Sequence, residues 1–389
     1  MTEACIVGWA HTNFGKLEDP DVEALIARVA RTAIDDAGIA PSDIDGIFVS
    51  LFNNGFSKQD FPASLVMQSV PELRFTQATR FENACASGSA AIHGARDFLA
   101  AGRGRFALVI GAEKMTATPA PQVGDILLSA AYRKEEGEIP AGFAGVFGKI
   151  AESYFQKYGD QSDALATIAA KNHKNGVDNP YAQMRRDLGF DFCRTASDKN
   201  PYVAPPLKRT DCSMVSDGAA ALILTDEETA RTMNKAVRFR AAVQVNDFLP
   251  LSRRDPTAFE GAAKAFHRAL SQAGLTLADI DFAEVHDCFT IAELLVVEAM
   301  GLAPAGQGAK IVLDGITQKD GRLPINVSGG LKAKGHPIGA TGVSMHAIAA
   351  MQLTGTAGAM QLRKADRGLV FNMGGAAVAN YVSILEPLK

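Results

Sequence analysis

The chain has 389 residues, 47% hydrophobic and 21% charged, with a net charge of −4. That is enough apolar material for two or so domain-sized units of a soluble globular protein. It argues against a nucleic-acid or membrane-surface protein, since both need a cationic face, and no apolar run approaches membrane-spanning length.

The N-terminus, M-T-E-A-C-I-V-G-W-A, enters a strand-like run without a leader pattern, and the final E-P-L-K carries no peroxisomal address, so the expected location is the cytoplasm. Five cysteines (5, 85, 193, 212 and 288) include no C-x-x-C pair. That speaks against a disulfide framework or a structural zinc site and for a reducing compartment.

Residues 17–50 repeat at 253–286 with a constant offset of 236 and no gap; from 19 to 49, ten of 31 positions are identical. Chance pairing gives roughly two, so the chain reads as two similar half-proteins. Each copy predicts a helix opening at Asp-Pro and closing at Gly38 or Gly274, then a turn into a strand, I-F-V-S or F-A-E-V. F-A-L-V-I-G-A at 106–112 and L-V-F-N-M-G-G at 369–375 predict buried strands. The alternation implies an α/β protein with mainly parallel pairing. Residues from about 115 to 210 break the pattern, with helical runs near 145–158 and 163–175, and read as an insertion on the first half.

In F-E-N-A-C-A-S-G-S-A at 81–90, Cys85 stands among small residues just before a helix that ends at Gly102. A thiol there faces unpaired N–H groups that favour thiolate and could hold an oxyanion; the plain alternative is a buried core cysteine. Further on, E-V-H-D-C-F-T-I-A-E at 284–293 leaves a strand and enters a helix that runs to Gly301, with Thr290 and Glu293 spaced as a capping box. His286 and Cys288 point to one side and Asp287 to the other, which disfavours a metal held by the three. Finally, N-V-S-G-G-L-K-A-K-G-H-P-I-G-A-T-G at 326–342 sets His336 in a glycine-rich loop before a helix at about 343–353. If the halves pack symmetrically, this loop meets the Cys85 loop and gives a Cys–His pair.

A-C-A-S-G at 84–88 and G-H-P-I-G-A-T-G at 335–342 resemble the two signatures of the thiolases, enzymes that make or break 3-oxoacyl-CoA by Claisen chemistry on coenzyme A thioesters. The resemblance covers almost the whole chain, including S-D-G-A-A-A at 216–221. It implies the thiolase fold: two duplicated α/β halves, residues 1–235 and 236–389, related by a pseudo-twofold axis in layered αβαβα packing, with a loop domain at about 115–210. It also implies Cys85 as acyl nucleophile, His336 as its base and an oxyanion donor, and Gly374 as an oxyanion N–H. Most thiolases take a second acid/base cysteine from a C-x-G motif, but here that stretch is N-M-G-G and the position is Asn372. The H-D-C-F string is similar to the sterol-carrier-protein-type subgroup, in which this motif supplies the second cysteine, here Cys288. His286, acting through a water, then stands for the usual asparagine. Ser213 matches a position that touches the pantetheine arm, with Phe289 packing nearby; Lys208 and Arg209 could meet CoA phosphates, but a solvated charged face is the preferred reading of each.

The implied activity is acyl-CoA:acetyl-CoA C-acyltransfer by a ping-pong cycle in lipid metabolism. It needs no cofactor or metal, has acyl-CoA and CoA as partners, and belongs to a homodimer or dimer of dimers. Two alternatives stay open: a partner-dependent retro-aldolase on sterol side-chain CoA esters, and an acyl-CoA-binding scaffold.

Overall fold

The structure is a computed structural model that describes residues 4–388. Nine strands form its main sheet: β1 (Ala4–His11), β2 (Ile44–Ser50), β3 (Gln77–Phe81), β4 (Phe106–Glu113), β5 (Gly218–Asp226), β6 (Val237–Asn246), β7 (Phe282–Val285), β8 (Gly368–Gly374) and β9 (Ala379–Pro387). Their order is β3-β2-β4-β5-β1-β6-β9-β8-β7, so strands of the first half occupy one side and those of the second half the other. The two sides join where Cys5 and Ile6 of β1 pair with Arg238 and Val237 of β6.

Pairing departs from the expectation of a mainly parallel sheet. Contacts β2–β3, β2–β4 and β7–β8 are parallel, whereas β1–β5, β4–β5, β1–β6, β6–β9 and β8–β9 are antiparallel. For β8 and β9 the reason is connection length: the tight turn between them leaves no room for the crossover that parallel neighbours need.

Seven longer helices complete the layers: α1 (Val22–Ala37), α2 (Ser87–Ala100), α3 (Gly142–Tyr158), α4 (Ser162–Asp178), α5 (Glu260–Ala273), α6 (Thr290–Ala299) and α7 (Ile338–Leu353). Alternate residues of each strand serve different faces. Val7, Ile47 and Leu108 pack toward α1, while Ile6, Phe48 and Val109 face the interior cluster. All sixteen residues of α7 are buried, because it lies with α2 between the two sides of the sheet. Helices α1 and α5 cover the outer faces, which gives the αβαβα layering. Both close on left-handed glycines, Gly38 (φ 71°) and Gly274 (φ 67°), as the sequence indicates. Their starts differ from it. α1 is capped by Asp21, whose side chain accepts from Ala24 N, and α5 begins at Glu260, four residues after Pro256. α7 begins at Ile338, earlier than expected. Among the described residues, no helix is long and apolar enough to cross a membrane.

The inner helices cross where both lack a side chain. A Cβ on Gly88 would meet Gly342 N at 2.8 Å and Val343 N at 2.7 Å, and one on Gly342 would meet Ser89 N at 2.5 Å. This contact lets the first turn of α2 touch the first turns of α7, and so brings the loops before them together.

Candidate active site

Cys85 sits at the corner between β3 and α2. The preceding residue, Ala84, is left-handed (φ 49°), a conformation that costs an alanine about 1–3 kcal/mol and persists only when the surroundings enforce it. They do so here through Ser87 Oγ, which donates to Ala84 O (2.6 Å) and accepts from Asn83 N (2.9 Å), and through Glu82, which accepts from Ala84 N (2.5 Å). The corner holds the thiol buried, at 4% exposure. Burial pushes its pKa up to about 12, partly opposed by the N–H groups of Gly375 and of Cys85 itself. A resting thiolate, expected from the helix N-terminus, is therefore not what the site holds, since loss of water outweighs the N–H groups. The amide aimed at the sulfur belongs to Gly375, next to the Gly374 singled out from the sequence.

His336 enters from the glycine-rich loop, its backbone N–H donating to Ser216 Oγ (3.0 Å). Its Nδ1 lies 2.7 Å from Thr341 Oγ1, and that hydroxyl gives its hydrogen to Pro337 O (3.0 Å). Thr341 can therefore only accept from the ring, so Nδ1 carries the proton and Nε2 keeps a lone pair. Among the described residues Nε2 has no partner. Burial, then Lys334, lowers the His336 pKa to about 3, so the imidazole is neutral.

The H-D-C-F turn splits as the alternation predicts. Asp287 faces away and accepts from Leu331 N (2.6 Å), Lys332 N (3.3 Å) and Asn172 Nδ2 (2.8 Å), anchoring the His336 loop. Cys288 and Phe289 line the same cavity as Cys85 and His336, together with Ser213, Phe52 and Phe143, in a space of about 230 Å³. Ser213 N donates to Cys288 O (2.9 Å), and Phe289 stacks on Phe147 at 4.5 Å. Burial raises the Cys288 thiol well above its ordinary pKa, and the neighbouring Cys85 adds to this. Behind them His286 stands edge-on to His336, ring centroids 5.1 Å apart. One ligand atom from each of Cys85, His286 and His336 lies within 4.8 Å of the others. The sequence reading weighed a metal only among 286–288 and missed this trio, whose members lie far apart in the chain.

The sequence matches the family described as "Thiolase, N-terminal domain" over residues 4–188 and "Thiolase C-terminal domain-like" over 244–387. It is 35% identical to an acetyl-CoA acetyltransferase of Methanothermobacter thermautotrophicus over 99% of this chain and all of that one. The chain belongs to the thiolase superfamily. Human sterol carrier protein 2 is 32% identical over 96% of this chain and 70% of its own length, in keeping with the H-D-C-F subgroup of thiolases. The fold is shared with an Ltp2–ChsH2(DUF35) aldolase at a TM-score of 0.85 and 22% identity, covering 99% and 98% of the two chains.

Within this thiolase framework two expectations fail. Lys208 is buried (3%) and bonded to Asp211 at 2.9 Å, so it lies on no solvated face; Arg209 is exposed, as that reading has it. The capping box at α6 does not form either. Thr290 Oγ1 donates instead to Asp211 (2.9 Å), and Glu293 turns inward to Lys171 Nζ (2.5 Å), Asn172 Nδ2 (2.8 Å) and Asn326 Nδ2 (2.9 Å). This buried network ties the insertion to the H-D-C-F turn. Its sequence signal was a glutamate inside the apolar run T-I-A-E-L-L-V-V, where a buried carboxylate demands partners.

Proposed function

We propose that the protein is a thiolase-type acyltransferase that passes acyl groups between coenzyme A thioesters through a Cys85 acyl-enzyme. The observation that carries this reading is the unpartnered Nε2 of a neutral His336, whose ring is held by Thr341 with a ring nitrogen within 4.8 Å of the Cys85 sulfur. Family membership and the relative named acetyl-CoA acetyltransferase support it.

Both thiols are protonated at rest, which orders the proton steps. Cys85 Sγ attacks the thioester carbon as His336 Nε2 takes its proton, and the carbon–sulfur bond to CoA breaks. Cys288 gives its proton to the departing CoA sulfur and becomes the thiolate. That thiolate then removes the α-proton of an acetyl thioester, and the carbanion attacks the acyl carbon. The carbon–carbon bond forms, the bond to Cys85 breaks, and Sγ regains the proton from His336. Acyl-CoA and acetyl-CoA thus give 3-oxoacyl-CoA and CoA, and thiolysis is the reverse. N–H groups of Cys85 and of the Gly374–Gly375 turn stabilise the tetrahedral oxyanion, and the His286 Nε2–H serves the enolate oxygen. Every proton transfer uses a side chain, and coenzyme A arrives as a substrate, so the cycle calls for no resident cofactor. Ser213 and Phe289 border the channel for the pantetheine arm.

The test is CoA-dependent cleavage of acetoacetyl-CoA by wild type and Cys288→Ala, with intact-mass detection of acylated Cys85. The expected variant still acylates Cys85 from acetyl-CoA but neither makes nor cleaves the carbon–carbon bond. A wild type that never acylates, or a variant that cleaves like wild type, overturns the reading.

A further inference from the structure

Asn372, at the end of β8, is fully buried and carries no acid–base chemistry of its own, yet it touches both halves of the site. Its Nδ2 lies 3.1 Å from Cys85 O and 3.0 Å from His286 Nδ1, and its Oδ1 accepts from Ser89 Oγ at 2.8 Å. A backbone carbonyl can only accept, so the amide must turn its NH2 toward Cys85 O. The second hydrogen of that NH2 then points at His286 Nδ1, which must be the bare nitrogen. The ring proton of neutral His286 therefore sits on Nε2, which is buried and has no partner among the described residues.

This matters because of what His286 faces. Cys85 Sγ and one ring nitrogen from each of His336 and His286 have the spacing of a three-ligand site for a thiophilic divalent cation. A metal needs a lone pair from every ligand, and an Nε2–H has none to give. Without a fixed tautomer, the same three side chains would be a zinc trap built around the nucleophile.

We propose that Asn372 is a positioning residue that locks His286 as an Nε2–H donor, which both supplies an oxyanion donor to the cavity and prevents Cys85, His286 and His336 from closing on a metal ion. The donor half of this inference rests on the acyl-transfer reading above; the metal half does not.

Asn372→Asp reverses the lock at nearly constant shape. A carboxylate accepts from Nδ1–H and leaves the Nε2 lone pair exposed to the cavity. With Co²⁺ added to the intact protein, this variant is expected to show thiolate-to-cobalt charge-transfer bands at one ion per chain, abolished by Cys85→Ser in the same background, while wild type shows none. Carbon–carbon bond formation should fall on the order of 10²–10³-fold, as for loss of an oxyanion donor, with Cys85 acylation from acetyl-CoA affected less. A second measurement needs no variant at 372. Imidazole ¹⁵N correlation spectra of histidine-labelled wild type, assigned with His286→Gln and His336→Gln, should show His286 protonated on Nε2 and His336 on Nδ1. A wild-type His286 protonated on Nδ1, or a wild type that binds cobalt at Cys85, overturns the proposal. So does a folded Asn372→Asp variant with neither the bands nor the kinetic loss. If Cys85 never acylates while the tautomer and cobalt results hold, the acyl-transfer reading fails and the lock stands.

Discussion

His336 Nδ1 and Thr341 Oγ1 are 2.7 Å apart, the histidine just before the helix and the threonine in its first turn, and the threonine hydrogen is already committed to Pro337 O. The imidazole is thus oriented by the first turn of the helix that follows it. Thr341→Val keeps the shape and removes the acceptor, stranding a buried N–H and freeing the ring to take either tautomer. Acylation of Cys85 should slow on the order of 10–100-fold, the usual effect of losing a partner that orients a histidine, whereas Thr341→Ser should stay near wild type. Rapid-quench measurement of acyl-Cys85 separates the two.

The crossing of α2 and α7 offers a steric test. Alanine at 88 or 342 would press a methyl against backbone atoms 2.5–2.9 Å away, where no side chain can swing aside. Each substitution should cost about 1–3 kcal/mol by overpacking and should also separate Cys85 from His336. Loss of acylation in the still-folded fraction, alongside a lower Tm, is the expected pair of results. A Gly342→Ala variant of unchanged stability would show that the helices do not meet as described.

Six of the seven histidines are held below their ordinary pKa, with burial the largest cause: His11, His93, His173 and His336 to about 3, His346 to about 4, and His286 well below 6.5. The unfolded chain binds protons at these rings as pH falls through 6.5, and the native state does not until the pH is well below that. Stability is therefore fully present above 6.5 and drains as pH falls through that window, by up to ~1.4 kcal/mol per pH unit for each histidine. Urea midpoints at pH 7.5, 6, 5 and 4 should drop with increasing slope. A flat profile down to pH 5 would contradict neutral burial of these rings.

The glycine strings, the cysteine corner and the repeat were legible because each is local: a small residue, a cap or a periodicity states its own reason. The strand–helix alternation also placed Asp287 opposite His286 and Cys288. What the sequence withheld depends on desolvation and on distant partners. Helix-end arguments favour a thiolate at Cys85, but they cannot see that the corner is shut off from water. Asn372 read as a loss, since its use lies in two hydrogen bonds to residues 86 and 287 positions away. Antiparallel pairing stays hidden because the sequence expectations do not include β5, β6 and β9, and a sheet's direction is set by all its connections.

The pair of Lys171 and Glu293 is the last element to test, since both side chains are almost wholly buried (1% and 0%) at 2.5 Å. Lys171→Met removes one charge and leaves the carboxylate with two amides, Asn172 and Asn326, which should cost about 3–5 kcal/mol. Lys171→Met with Glu293→Leu should regain most of that stability, because the stranded charge is gone. It should not regain full rate. Asn172 also holds Asp287, and through it the amides of Leu331 and Lys332 before His336, so an unpinned Asn172 loosens the turn that carries Cys288. Carbon–carbon bond formation, the step proposed for Cys288, should then suffer more than acylation of Cys85. Urea unfolding and the two half-reactions measured on both variants decide it: equal loss in both steps would mean that the network supports the fold alone.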